Sequence, residues 1–179
     1  LANLTTPPGL LGSLEKELGP YADGIDESIE GDENRARFVI RLLERERPHL
    51  LWAYFTALDH EQHETAPFST SSLRVLERID RIVGQVIAAA RRIDSRATVV
   101  VVSDHGMAAT SSSRQVILDD YVSQDEVDVL DGGGWLALNP AGSATVDDVY
   151  RKLVGKHPSL AIYKKDALPP ELRYGSHAR

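Results

Sequence analysis

Two short clusters of side chains able to hold a cation stand out in this sequence. Asp59-His60-Glu61-Gln62-His63 sets a carboxylate and an imidazole four residues apart, so both face one way if the stretch takes one helical turn. Asp104-His105-Gly106-Met107 sets a carboxylate beside an imidazole, followed by a glycine that permits a sharp bend or a close approach. Carboxylate oxygen and imidazole nitrogen suit zinc, or manganese or iron in a similar cage. Four such donors, Asp59, His63, Asp104 and His105, suggest two metals. Two cations about 4 Å apart would polarise a phosphoryl oxygen, activate a hydroxyl or water, and support a leaving oxygen. Taken singly, each cluster also reads as a solvated loop, and it is their pairing that favours the metal.

The elements around the clusters explain that pairing. Leu50 to Leu58 is short and nearly all apolar, the pattern of a strand buried on both faces, and it stops at Asp59. Ala97 to Val102 reads the same way and stops at Ser103-Asp104. Between them a polar loop, His60 to Ser69, leads into a long amphipathic helix with Thr70 to Ser72 available as caps. Its predicted core stripe is Leu73, Leu76, Ile79, Val83, Val86, Ile87 and Ala90. Strand, helix, strand at this spacing predicts a right-handed parallel crossover, with both clusters at the carboxyl edge where open α/β sheets hold ligands. Upstream, the spacing predicts a helix from Leu10 to Leu18, an acidic irregular stretch from Tyr21 to Asp32, and a helix from about Glu33 to Pro48. Downstream come a turn near Val116 to Tyr121, a hairpin pairing Val127 to Leu130 with Trp135 to Leu138, a helix near Val146 to Val154 and an extended Leu160 to Tyr163.

The order and separation of the two clusters resemble the type I phosphodiesterase/nucleotide pyrophosphatase family of the alkaline phosphatase superfamily. Asp59-x-x-x-His63-x-x-x-Pro67 is similar to one family motif, and Val102-Ser103-Asp104-His105-Gly106-Met107 to its strand-end metal motif, with Asp80 and Gly84 on the helix between. Leu118-Asp119-Asp120-Tyr121 and Leu168 to Tyr174 extend the likeness over roughly Glu33 to Arg179. The resemblance implies an α/β fold: a mostly parallel central sheet flanked by helices, alkaline-phosphatase-like, with a small β-hairpin elaboration. It implies one, partial, domain over residues 1–179. It further implies a two-metal hydrolase of phosphodiester or nucleotide pyrophosphate bonds, working through a covalent Thr or Ser intermediate. Asp59 and His63 would serve the first metal, Asp104 and His105 the second. The nucleophile and an upstream aspartate are expected before this chain, and a C-terminal histidine ligand after it, so the piece alone should be nearly inactive. On this reading Thr6, Ser111 to Ser113 and His177 take no part, Ala178 standing where a glycine would follow the ligand. An extracytoplasmic location, periplasmic or secreted, is implied by the family alone. A sulfatase or phosphomutase of the same superfamily, and a non-catalytic domain that keeps the fold, are the alternatives.

Composition limits the chemistry further. The 179 residues contain no cysteine, which excludes thiolate metal sites, thiol catalysis and disulfides together. A net charge of −7 disfavours a nucleic-acid polymer as partner and leaves a small-molecule phosphate ester, whose charge a metal would have to meet. No run approaches the roughly 18 apolar residues that would span a bilayer. His49, His60 and His157 read as surface histidines, and Gly132-Gly133-Gly134 as a turn, since it lacks the lysine and helix of a phosphate loop.

Overall fold

A computed structural model describes residues 7–22, 26–131 and 134–174. The chain divides after Thr110 into two compact units.

The first unit is helical. Helix α1 (Leu10–Leu18) ends at Gly19, whose φ of 84° lies in the left-handed region that closes a helix, and whose N–H reaches the Glu15 carbonyl at 2.9 Å. Helix α2 (Ile29–Glu46) begins four residues before the periodicity indicates, because the Ser28 hydroxyl caps it by accepting the Gly31 N–H at 3.0 Å. The expected irregular stretch therefore stops short of Asp32, which is helical. Arg41 and Arg45 of α2 reach Glu17 of α1 at 2.7 and 3.3 Å, and Tyr21 stands edge-on to the buried Phe38 at 4.9 Å.

Helix α3 (Ala57–Thr65) occupies the stretch expected as a polar loop, and helix α4 (Thr70–Ile93) follows behind a Ser69 cap. Both pack on each other and on α2. The buried side of α4 is Ser72, Ile82 and Ala89, whereas Leu73 and Leu76 of the expected core stripe are 44 % exposed. Small residues let neighbouring helices approach closely, and the Ser72 hydroxyl is satisfied by the Ser69 carbonyl at 3.0 Å.

The expected strands at Leu50–Leu58 and Ala97–Val102 do not form a sheet here. Residues 51–56 and 97–103 carry no regular secondary structure, and Ala57 and Leu58 belong to α3. Trp52, Tyr54, Val100, Val101 and Val102 are exposed. A strand exists only as a member of a ladder, and the one ladder among the described residues lies in the second unit.

That second unit holds the hairpin expected from the sequence. Strand β1 (Val127–Asp131) pairs antiparallel with β2 (Leu136–Pro140), Val129 opposite Leu138. Helix α5 (Val146–Leu153) starts with a reciprocal capping box between Thr145 and Asp148. It buries Val149 and Leu153 against Val122 and Val127, with Leu118, Tyr121, Leu138 and Ile162 around them. Among the described residues no helix is long and apolar enough to cross a membrane.

Candidate metal centre

Helix α3 carries two of the four predicted ligands, and its placement explains their geometry. Asp59 is its third residue, in the first turn where the exposed N–H groups favour negative charge, and His63 lies in the last turn. The four-residue spacing brings His63 Nε2 to 3.6 Å from Asp59 Oδ2. The helical turn on which this pairing depends is therefore present.

The second cluster reaches the first through the same carboxylate. His105 Nε2 stands 3.8 Å from Asp59 Oδ1 and 3.8 Å from Asp104 Oδ2. Asp59 thus faces one imidazole with each oxygen. The Asp104 carboxylate also accepts the His105 backbone N–H at 3.1 Å, and the Ser103 hydroxyl donates to the His105 carbonyl. These contacts fold the segment back on itself at Asp104.

The His105 ring is oriented by the Gly106 carbonyl, 3.0 Å from Nδ1. If Nδ1 carries the proton and donates it there, Nε2 is left as the acceptor that faces the carboxylates. The Gly106 carbonyl, followed by the Asp104 and Asp59 carboxylates, holds the ring's pKa above the usual imidazole value. All four side chains are about half exposed or more, so an ion has open access to them.

The separations of 3.6 to 3.8 Å are too long for hydrogen bonds. Within each cluster, His63 to Asp59 and His105 to Asp104, they are close to the spacing of neighbouring ligand atoms around one cation: metal–ligand bonds of about 2.0–2.2 Å in a tetrahedron put donors roughly 3.3–3.6 Å apart. Among the described residues no three acidic or imidazole groups already converge on one point. The donors form a chain, His63 to Asp59 to His105 to Asp104, whose chemistry fits divalent cations.

His60 does not join the chain and pairs with Glu27 at 3.2 Å. Thr6 and His177 lie outside the described residues, and Ser111 to Ser113 form a short turn tied by a Ser111–Ser113 hydroxyl contact of 2.8 Å.

One residue beneath the site escaped the sequence reading. Asp32 is fully buried, and its carboxylate accepts the Ala57 N–H at 2.9 Å and the Thr56 N–H at 3.1 Å. Arg35 holds the same carboxylate through Nε at 3.1 Å and Nη2 at 2.7 Å. The signal available in the sequence, an aspartate near the start of a basic helix with an arginine three residues on, also describes ordinary surface charge.

The family model described as type I phosphodiesterase / nucleotide pyrophosphatase matches residues 3–179. Human ectonucleotide pyrophosphatase/phosphodiesterase family member 5 is 26% identical over 174 residues, covering 96% of this chain and 36% of that protein. Human bis(5'-adenosyl)-triphosphatase ENPP4 is 24% identical over 177 residues, covering 96% of this chain and 38% of that protein. The solved structure of murine ectonucleotide pyrophosphatase / phosphodiesterase 5 superposes with a TM-score of 0.68 at 29% identity, over 80% of this chain and 39% of that one. The chain spans little more than a third of the length of these relatives, and it shares the fold of the murine structure over the superposed residues.

Proposed function

The chain belongs to the type I phosphodiesterase/nucleotide pyrophosphatase family, and from that premise we propose that it carries the metal-ligand portion of a hydrolase of phosphodiester or nucleotide pyrophosphate bonds. The observation that carries this reading is the approach of His105 to Asp59 at 3.8 Å, which joins two motifs lying on either side of the 24-residue helix α4.

Asp59 and His63 would hold one divalent cation and Asp104 and His105 a second, zinc foremost, with manganese or iron suited to the same donors. When bound, such ions supply Lewis-acid polarisation of a phosphoryl oxygen and a lowered pKa for the attacking hydroxyl. The chain's own contribution is orientation and charge. Asp59 supplies negative charge between two imidazoles, and the Gly106 carbonyl fixes which nitrogen of His105 is presented. The family's covalent step on a threonine or serine belongs to the intact protein, and no residue of this chain is assigned to it.

The same reading gives the exposed apolar segments a role. Residues 51–56 and 97–103 would be strands of a mostly parallel central sheet in a protein of the relatives' full length. Leaving Trp52, Tyr54 and Val100 to Val102 in water forgoes on the order of 1.5–3 kcal/mol for each large side chain. Asp59, in the first turn of α3, and Asp104 would then lie just past the strand ends, at the carboxyl edge of that sheet. A small-molecule phosphate ester is the substrate class; the chain's net charge of −7 argues against a nucleic-acid polymer.

Calorimetric titration of zinc and manganese, with an Asp59→Ala/Asp104→Ala double variant alongside, tests the metal assignment. Binding that is lost in the double variant supports it, and binding unchanged by both substitutions removes it. Hydrolysis of a chromogenic phosphodiester by the intact protein tests the reaction class.

A further inference from the structure

We propose that Asp32, locked by Arg35, is a positioning residue for the ligands on α3, acting through the helix N-terminus without touching substrate or metal. This role rests on the reading of Asp59 and His63 as metal ligands given above.

Helix α3 has nine residues, a length at which an isolated helix is unstable in water, so something outside it must hold its first turn. Its own N-cap residue does not: the Thr56 side chain makes no capping hydrogen bond. That hydroxyl instead accepts Arg35 Nη2 at 3.1 Å. The cap comes from α2, where the fully buried Asp32 carboxylate receives the N–H groups of Thr56 and Ala57. Arg35 completes the clamp by donating Nη2 to the Asp26 carbonyl at 2.6 Å as well as to Asp32.

A neutral local cap from position 56 would instead accept the N–H of Leu58 or Asp59, with no buried charge and no tie to another element. An ion pair buried from water recovers little net stability after its desolvation cost. What the pair achieves that a local cap would not is a fixed relation between α3 and α2. Asp59 lies two residues beyond Ala57, about 200° further round the helix at 3.6 residues per turn. Rotation or sliding of α3 would therefore carry Asp59 away from His105, which sits on a segment outside the helix.

The test uses Co2+ as the probe in the intact protein, read by its visible d–d absorption, together with amide hydrogen exchange resolved over α3 and α4. In an Asp32→Asn/Arg35→Gln variant, which leaves no unpaired buried charge, α3 amides should exchange at least tenfold faster while α4 keeps its protection. The Co2+ dissociation constant should rise about ten- to a hundredfold, the range found when groups supporting metal ligands are removed, with a shifted d–d band. An Asp32→Glu variant retains the charge pair and displaces the carboxylate by one methylene. It should shift the band and weaken Co2+ binding without loss of folding, an effect that stabilisation alone does not predict. A folded variant of either kind with wild-type Co2+ affinity, band and α3 exchange overturns the positioning role. Co2+ uptake that is indifferent to Asp59→Ala overturns the metal reading and the positioning role with it, and the α3 exchange rates then report the cap alone.

Discussion

The Asp32 carboxylate accepts the Ala57 backbone N–H at 2.9 Å, a bond between the first turn of α2 and the first residue of α3 that spans 25 positions of sequence. It makes a fully buried side chain part of the support for Asp59 and His63. Removing it leaves the Arg35 guanidinium, itself buried, without this carboxylate partner. Asp32→Ala should therefore destabilise the first unit by about 3–5 kcal/mol, the cost typical of breaking a buried pair from one side. Urea denaturation followed by far-ultraviolet circular dichroism measures this, and a loss under about 1 kcal/mol would contradict the geometry.

Gly31 is tied to the same clamp. A Cβ built there would lie 2.7 Å from the Asp26 carboxyl carbon and 2.8 Å from the Asp26 carbonyl oxygen, the oxygen that receives Arg35 Nη2. Gly31→Ala should cost about 1–3 kcal/mol through overpacking, although alanine is the better helix former. A melting temperature equal to or above that of the parent would show that the Asp26 segment yields freely.

For the reaction itself, Asp104→Asn in the intact protein should lower kcat/KM by about a thousandfold or more while leaving the unfolding transition unchanged. The substitution keeps the shape and removes the charge that Asp104 presents to His105 and to a cation. Retention of a tenth of wild-type activity would remove Asp104 from the metal set.

In the second unit, Leu153 is 1 % exposed in a small apolar cluster with Val122, Val127 and Val149. Leu153→Ala should cost about 2–5 kcal/mol. If the two units unfold separately, calorimetry should show the loss in one transition and leave the other in place.

The capping box of α5 carries a pH dependence of definite sign. Bonds from the Thr145 hydroxyl and backbone N–H, with help from Arg151, hold the Asp148 carboxyl below its ordinary 3.8. The unfolded chain then binds the proton more readily than the folded one, so this contribution is complete above the ordinary value and is lost as pH falls through the depressed one. Urea midpoints measured downward from pH 5 should decline more steeply for the parent than for Asp148→Asn. Parallel curves would show that the box does not persist in solution.

Features that depend on near neighbours in sequence were legible without coordinates. The 3.6-residue apolar period marks α1, α4 and α5, the glycines and alternating apolar residues mark the hairpin, and the Asp-x-x-x-His spacing makes sense as soon as one helical turn is drawn through it. The two clusters stand out as candidate ligands through residue type, spacing and place after an apolar run together, the donor preferences of divalent cations being set by the side-chain atoms themselves.

What only the tertiary structure decided lies between segments. An all-apolar run has no periodicity from which to learn whether a strand partner is present, and residues 51–56 and 97–103 have none among the described residues. The His60 to Ser69 stretch has little helical amphipathicity, so its helix depends on a cap supplied from α2 and on packing against α4. The buried face of α4 turned on Ser72 and Ala89, which a hydrophobic scale passes over and close helix packing selects. Asp32 and Arg35 look like surface charge in the sequence. Their burial, and with it the placement of Asp59 against His105, follows from contacts whose partners lie more than twenty residues away, where no local pattern reaches.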